Sequence, residues 1–201
     1  MQNPGYPRLP MRETRFLLIR HAESTWNAAG RWQGHADPPL STRGRSQAET
    51  LGHALATRGI EILLASDLAR AVQTASILGE SLGIEPIIDA GLRELDIGRW
   101  AGLTRGEIAQ RDPDALRRFD RGDPDARAGG GESRQDLRER VREFVQQCSR
   151  QHAGRLVAVV AHLGSLRAMR PGLMLSNTGW CLTTAGEIAG LAPAAAHAAR
   201  D

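Results

Sequence analysis

The chain contains no lysine, so all 26 of its basic residues are arginine, and against 23 acidic residues the net charge is only +3. Guanidinium groups are permanently charged and fork-shaped, which suits phosphate or carboxylate ligands. Aromatic residues make up just 4% of the chain, and no basic run is interleaved with them. This composition argues against nucleic acid as a partner.

Long apolar runs and paired cysteines are also missing. The longest apolar stretches, such as 156–161, are far too short to cross a membrane, so no membrane partner is expected. Cys148 and Cys181 lie far apart and form no Cys-x-x-Cys pair, which favours a reducing compartment over a disulfide scaffold. Residues 1–14 are proline-rich and lack the apolar core of a signal peptide. We therefore expect a cytoplasmic protein.

Short apolar runs alternate with helix-like periods along most of the sequence. The runs are typical of buried strands, and the periods follow the three- and four-residue spacing of helices. Ser133 with Asp136 is typical of a capping box, and Ser66 or Asp67 is expected to cap the second helix. The predicted strands lie at 15–19, 60–65, 86–88, 155–161 and 180–185, and the predicted helices at 41–58, from 66 or 67 to 82, in two weak stretches on either side of Asp112-Pro113, and at 133–148.

This alternation predicts an α/β fold with a mainly parallel sheet. A chain of 201 residues is long enough for one sizeable core, so we expect a single domain. Its expected bounds are 15–192, between a flexible tail at 1–14 and a loose tail at 193–201.

Polar residues follow three of the predicted strands. Arg20-His21 comes after the first strand, Arg70 lies in the first turn of the helix after the second, and His162 comes after the fourth. Carboxyl ends of parallel strands meet at one edge of a sheet, where ligands bind and where helix N-termini favour anions. Each residue alone has an ordinary structural explanation. Together they predict an anion site, and the guanidinium fork makes phosphate its natural occupant.

Several blocks of sequence, taken in order, resemble the histidine phosphatase superfamily, whose phosphoglycerate mutase-like fold is a three-layer α/β sandwich. Any one block would be a weak signal, whereas their common order makes the resemblance specific. The blocks are LIRHAESTWN at 18–27, RWQG at 31–34, DPPLS at 37–41, SDLARA at 66–71, LRE at 92–94, GRWAGL at 98–103, GGES at 130–133 and VVAH at 159–162.

The resemblance implies a role for each residue of the anion site. His21 would attack phosphorus and become a phosphohistidine. Arg20, Arg70 and His162 would bind the transferring group and offset the charge on its oxygens. Glu94 would protonate the leaving oxygen and then take a proton from the attacking water.

The resemblance also implies the residues around the substrate. Asn27 would reach the transferred phosphate, and Ser24, Gln33, Gly34 and Leu163 would border the substrate. No metal or other cofactor is implied, because the arginines supply the positive charge. The sequence carries no His-Glu-x-x-His, paired-carboxylate or Cys/His metal motif, and the spacing of His35 and Asp37 is best explained by chance.

The sequence departs from the family pattern near the second histidine. Leu163 stands where the family usually has glycine, and its side chain would either narrow the pocket or turn outward, with Gly164 partly compensating. The next helix is cut short by Arg170-Pro171-Gly172. The C-terminal wall of the site, and a homodimer contact there, therefore stay open.

Three functions are consistent with these residues. We favour a metal-independent phosphatase acting on a small phosphorylated metabolite, such as a sugar phosphate or a phosphoglycerate-like compound, because the stretch between Glu94 and the glycines at 129–131 leaves little room for a mutase lid. A 2,3-bisphosphoglycerate-dependent phosphoglycerate mutase is the first alternative, and residues 165–168 resemble mutases. A non-catalytic phospho-ligand binder is the second, motivated by Leu163 and the short C-terminal region.

Overall fold

The computed structural model describes residues 13–188. The predicted tails at 1–14 and 193–201 therefore lie outside the described residues, except for Glu13 and Thr14. The strands are β1 (Arg15–Arg20), β2 (Ile62–Ala65), β3 (Ile87–Ile88), β4 (Leu156–Ala161) and β5 (Trp180–Thr184). The helices are α1 (Thr25–Ala28), α2 (Thr42–Leu55), α3 (Ala69–Leu82), α4 (Arg105–Arg111), α5 (Pro113–Asp120), α6 (Arg134–Gln151) and α7 (Leu163–Met169), with short 3-10 turns at Ala90–Leu92, Gly98–Trp100 and Ala128–Gly130.

The strands form one mixed sheet in the order β3-β2-β4-β1-β5. β1, β2, β3 and β4 are parallel, and β5 runs antiparallel to β1 along one edge. The pairing places the carboxyl ends of β1, β2 and β4 side by side, because Arg20 lies opposite Ala161 and Ala65 opposite Val160. The predicted α/β fold with a mainly parallel sheet is confirmed.

Helices cover both faces of the sheet and make the three layers. Successive side chains of a strand point to opposite faces, so Leu17 and Ile19 of β1 pack with α2 and α3, while Phe16 and Leu18 pack with α6 and α7. Full burial of such a side chain contributes about 1.5–3 kcal/mol, so two cores of this kind hold the sheet rigid between the helices.

Helix α3 begins later than the sequence predicted. Ser66 and Asp67 do not cap it: the N-cap is Leu68, whose side chain makes no capping hydrogen bond. Asp37 supplies the missing acceptor from a distant loop, since its carboxylate receives the Ala69 amide at 2.5 Å. Asp67 instead pairs with Arg93, so the contact that starts the helix is a tertiary one.

A second departure concerns the segments on either side of the first two predicted helices. Residues 22–40, in which the sequence predicted no helix, contain the one-turn helix α1, which Ser24 and Asn27 cap reciprocally. Two of the 3-10 turns fall in the stretch 90–103. These turns bring Trp100 into an aromatic cluster with Trp32 and Phe119, whose ring centroids lie 5.8–5.9 Å apart.

Two further features concern the lengths of the apolar helices and the state of the cysteines. Between residues 13 and 188, no helix is both long and apolar enough to span a bilayer. Cys148 and Cys181 are both free thiols, the first buried in the α6 core and the second partly exposed.

The capping box of α6 gives a test of how the fold is held. Ser133 accepts the Asp136 amide, and Asp136 accepts the Ser133 amide. Replacing Ser133 by alanine leaves the Asp136 amide without its partner, and we expect the free energy of unfolding to fall by about 1 kcal/mol in urea denaturation.

Ser46→Ala is the matched control, because Ser46 is exposed in the interior of α2, where alanine is the better helix former. The interpretation fails if Ser133→Ala is as stable as the unaltered protein.

Candidate active site

A cleft of about 340 Å³ opens at the carboxyl edge of the sheet. It lies where the strand pairing brings the ends of β1, β2 and β4 together, as the sequence predicted. Its walls come from β1, from the loops at 27–34 and 94–97, and from the starts of α3 and α7. The lining residues are Arg20, His21, Asn27, Arg31, Trp32, Gln33, Gly34, Arg70, Glu94, Leu95, Ile97, Phe119, Leu163, Gly164 and Arg167.

His21 is almost fully buried at the base of this cleft, with 3% of its surface exposed. Its Nδ1 lies 2.7 Å from the carbonyl oxygen of Ala22. A carbonyl only accepts, so Nδ1 carries the proton and Nε2 carries the free lone pair. Burial, reinforced by the Arg70 charge, lowers the pKa of His21 to about 3. The ring is therefore neutral at neutral pH, with the electron pair that a nucleophile needs.

His162 lies beside His21, with 5.0 Å between the ring centroids. Arg70 donates from Nε to the Nδ1 of His162 at 3.2 Å, which leaves the proton of the neutral ring on Nε2. Burial, followed by the Arg70 charge, holds the pKa of His162 well below its usual range. Within residues 13–188 its buried Nε2 has no hydrogen-bond partner. His162 thus offers an unused N–H donor next to the His21 ring.

Arg70 is 1% exposed, and backbone carbonyls hold its guanidinium. It donates to the oxygens of Gly34 and Ala36 at 2.8 Å each, besides its bond to His162. Burial lowers its pKa to about 10, so it keeps its charge at neutral pH. Three of its five N–H donors are used in this way, and the other two are left for a ligand.

Arg20 is held by the segment before β5. It donates to the Leu175 oxygen at 2.9 Å, and burial lowers its pKa. Its buried Nε has no partner among the described residues. Asn177 and Thr178 donate to the carbonyl oxygens of His21 and Arg20. Residues 175–179 thus hold Arg20 and the backbone of His21 in place, although none of them is among the residues that line the cleft.

Glu94 faces the cleft with its carboxylate fixed by two backbone amides. Oε1 accepts the Leu95 amide at 2.8 Å, and Oε2 accepts the Gly164 amide at 3.1 Å. A Cβ on residue 164 would collide with the Glu94 carboxylate, so only glycine permits this approach. Gly164 therefore serves the carboxylate, whereas the sequence suggested that it merely compensates for Leu163.

Two residues without a predicted role hold the backbone at Glu94. His35 donates from Nε2 to the Glu94 carbonyl oxygen at 2.8 Å, and Arg140 donates to the carbonyl oxygens of residues 91, 93 and 94. Glu132 pairs with Arg140 at 2.8 Å and accepts the Asp96 amide. The family block at 130–133 contained Glu132, but the contacts that Glu132 and Arg140 make with the Glu94 loop are visible only in space.

The predicted substrate-bordering residues fall into two groups. Asn27, Gln33, Gly34 and Leu163 line the cleft, so Leu163 lies in its wall rather than turning away from it. Ser24 does not line the cleft. It is fully buried and caps α1, and its hydroxyl donates to Gln33 at 2.7 Å, so it supports this wall from behind.

Other wall residues were not predicted as part of the site. Trp32, Ile97 and Phe119 give the cleft an apolar side, while Arg31 and Arg167 add charge at its rim. Sequence blocks contained Arg31 and Trp32 but carried no indication of their side-chain direction. Arg167 lies in the mutase-like stretch 165–168, which did not indicate a place in the cleft wall, and Phe119 had no signal at all. In residues 13–188, no three His, Cys, Asp or Glu side chains gather into a group that could hold a metal ion.

This geometry agrees with comparison against known proteins. The chain matches the histidine phosphatase superfamily (branch 1) over residues 16–180. It therefore belongs to this superfamily, and the family and the phosphatase class expected from the sequence are confirmed.

Individual relatives share most of their length with the chain. It is 34% identical over 160 residues to phosphoserine phosphatase 1 of Hydrogenobacter thermophilus, which covers 80% of this chain and 76% of that protein. It is 35% identical to a probable phosphoglycerate mutase of Klebsiella pneumoniae, with 88% and 95% covered. A mycobacterial glucosyl-3-phosphoglycerate phosphatase solved with VO3 is 33% identical, with a TM-score of 0.77 and 84% and 91% covered.

The contact between Gly164 and Glu94 leads to a kinetic prediction. In Gly164→Ala the new methyl group displaces the Glu94 carboxylate. If Glu94 protonates the leaving oxygen, kcat/KM, which reports the first phosphoryl transfer, should fall at least about tenfold for an alkyl phosphate, whose leaving group needs a proton. The loss should be smaller for p-nitrophenyl phosphate, whose leaving group departs readily as an anion.

Gly106→Ala is the matched control, because Gly106 lies in α4 and an added Cβ would meet only ordinary contacts there. Equal losses on both substrates would show that Gly164 acts on something other than the proton donor.

The buried neutral histidines lead to a prediction about stability and pH. The folded-state pKa of His21 is about 3, against about 6.5 in the unfolded chain. Between about pH 3 and about pH 6.5, His21 is protonated in the unfolded chain and neutral in the folded protein. The free energy of unfolding should therefore fall as pH drops below about 6.5, by up to about 1.4 kcal/mol per pH unit for His21, with His162 acting in the same direction.

Urea denaturation at pH 7.5, 6 and 5 measures this slope. We expect His21→Asn to have a shallower slope than the unaltered protein, whereas replacing the exposed His53 should leave it unchanged. Identical slopes for His21→Asn and the unaltered protein would contradict a neutral buried His21.

Proposed function

We propose that the protein hydrolyses phosphomonoesters of small metabolites through a phosphohistidine at His21, without a metal ion. One observation carries this proposal: a buried imidazole with a free Nε2 lone pair lies 5.0 Å from the His162 ring, and two buried donors, Arg20 Nε and His162 Nε2, have no partner within residues 13–188. Such donors are costly to bury unsatisfied, so the arrangement favours an anion bound where Nε2 could attack it.

In the first chemical step, the His21 Nε2 lone pair forms a bond to phosphorus, and the bond from phosphorus to the ester oxygen breaks. Glu94 gives its proton to that leaving oxygen. Arg20, Arg70 and the Nε2–H of His162 bind the equatorial oxygens, where they offset the charge of the transition state.

The second step regenerates the enzyme. Water attacks the phosphohistidine, Glu94 takes a proton from that water, and the phosphorus–nitrogen bond breaks. Inorganic phosphate leaves, and the lone pair returns to Nε2. Throughout both steps the proton stays on Nδ1, which donates it to the Ala22 carbonyl oxygen in a hydrogen bond. This bond keeps the imidazole in one tautomer and one orientation.

The names of the relatives indicate the general class of substrate. Phosphoserine and glucosyl-3-phosphoglycerate are named for two relatives that are phosphatases, and we propose a small phosphorylated metabolite of comparable size for this chain. Asn27 would contribute to phosphate binding, because its Oδ1 is held by Ser24 and Asn177, which leaves its amide donors to the cleft. Gln33, Gly34 and Leu163 would border the rest of the molecule.

Phosphoglycerate mutase is the second candidate, because one relative at 35% identity is a probable mutase. The mutase reaction differs in its second step, in which the phosphoryl group returns to a bound intermediate instead of water. We also propose a cytoplasmic location, which fits two free thiols and is testable by fractionation. A homodimer remains a prediction that sedimentation velocity can test.

Steady-state hydrolysis of p-nitrophenyl phosphate in excess chelator tests the mechanism. We expect chelation to leave the rate unchanged, and His21→Ala to lower kcat/KM at least about a thousandfold because the nucleophile is lost. Brief incubation with ³²P-labelled substrate should trap an acid-labile, alkali-stable phosphoenzyme in the unaltered protein and in the control variant, but not in His21→Ala. His53→Ala, which removes an exposed histidine on α2, is the matched control.

A parallel assay with 3-phosphoglycerate and a 2,3-bisphosphoglycerate primer separates the candidates. Isomerisation to 2-phosphoglycerate faster than phosphate release would establish the mutase. Binding of phosphate esters without turnover would establish the non-catalytic binder. Hydrolysis that survives in His21→Ala would refute the phosphohistidine mechanism.

A further inference from the structure

A second cavity, of about 370 Å³, opens beside the catalytic cleft. The two share four wall residues, which are Leu95, Phe119, Gly164 and Arg167. A ligand with its phosphate at His21 could therefore extend over Arg167 into the second cavity without leaving the protein surface. The transfer of the phosphoryl group at His21 does not itself require the second cavity.

Three arginines line the second cavity, Arg134 and Arg138 from α6 and Arg167 from α7, and none of its lining residues is acidic. Within residues 13–188, none of the three makes a salt bridge, although arginines elsewhere are paired with Asp or Glu. The acidic group that lies near Arg134 is Asp120, and its carboxylate is already bound by Arg105.

Arg134 is close enough to Arg138 and to Arg167 for their charges to repel its own. Burial lowers the pKa of Arg134, and the charges of Arg138 and Arg167 lower it further. Arg167 also acts on Arg20, so the positive charge continues from the cavity to the phosphate site. Asp120, the acidic group that favours the charged form of Arg134, is shared with Arg105, so an anionic ligand would relieve the remaining repulsion.

Two of the arginines are held in place by neutral contacts. Arg134 stacks over Phe119, with 4.3 Å between its guanidinium carbon and the ring centroid. Arg167 donates from Nε to the Leu173 oxygen at 2.8 Å. Neutral anchors orient a guanidinium without cancelling its charge, and its remaining N–H groups stay available for an oxyanion. Leu137, Ala168 and Met174 add apolar wall between them.

We propose that Arg134, Arg138 and Arg167 form a second anion subsite, so that the preferred substrate is a phosphomonoester that carries a further anionic group, a carboxylate or another phosphate. This inference rests on the proposed phosphatase function. The second cavity would then be a specificity pocket. The anionic group of the substrate that is not transferred would bind there, which selects the substrate and aligns its phosphate ester with His21.

Matched pairs of substrates test the subsite. 3-Phosphoglycerate and glycerol 3-phosphate differ by a carboxylate in place of a hydroxymethyl group, and fructose 1,6-bisphosphate and fructose 6-phosphate differ by one phosphate. We expect the unaltered protein to show a kcat/KM ratio of about tenfold or more in favour of the member that carries the additional carboxylate or phosphate, in at least one pair. Which pair shows it identifies the anion as carboxylate or phosphate.

Arg138→Gln and Arg134→Gln should each lower that ratio severalfold toward one, and the ratio should shrink as salt rises, because the subsite is open to solvent. Arg138 is exposed, so its replacement is not expected to disturb folding. Arg45→Gln removes the same charge from an exposed position on α2, and its ratio should equal that of the unaltered protein.

The outcomes separate the two proposals. A ratio near one in the unaltered protein, or a high ratio that neither α6 variant lowers, would overturn the subsite while hydrolysis itself stands. Failure to hydrolyse any of the four esters or p-nitrophenyl phosphate would overturn the proposed function on which the subsite rests.

Discussion

The site depends on one buried cation that has neutral hydrogen-bond partners. The Arg70 guanidinium is bound by two carbonyl oxygens and by His162, and in the part of the chain that the structure describes it forms no salt bridge. Burying a charge is tolerable only when hydrogen bonds and nearby opposite charge offset the lost hydration. Arg70 has the hydrogen bonds, and Glu94 and Asp37 are near enough to favour its charged form. A bound anion would complete the balance.

The same cation determines the state of both histidines. Its charge and their burial keep the rings neutral, and its Nε bond determines which nitrogen of His162 carries the proton. His21 receives the opposite tautomer from the Ala22 carbonyl. Two chemically identical side chains 5.0 Å apart are thus made different, one presenting a lone pair and the other an N–H. That difference is what distinguishes a nucleophile from an oxyanion donor.

The sequence predicted the parts of this site that follow from sheet topology. Arg20-His21, Arg70 and His162 come at the ends of parallel strands, and such ends must meet at one edge, so their convergence could be inferred without coordinates. The place of Glu94 in the site was predicted from the family resemblance alone. Contacts between residues that are distant in sequence follow no rule of sheet topology, so they could not be predicted. The capping of α3 by Asp37, the support of the Glu94 loop by His35 and Arg140, and the burial of Ser24 each depend on how loops fold back across the sheet.

The last strand has a consequence for the order in which the protein becomes active. The backbone of Arg20 and His21 is bound by Asn177 and Thr178, which lie more than three-quarters of the chain away in sequence. Thr178 holds a φ of 57°, a conformation that a threonine adopts only when its surroundings enforce it. Within the described residues β1 pairs only with β4 and β5, so a nascent chain emerging from the ribosome cannot fix the backbone at Arg20 and His21 until nearly all of the described residues have been synthesised.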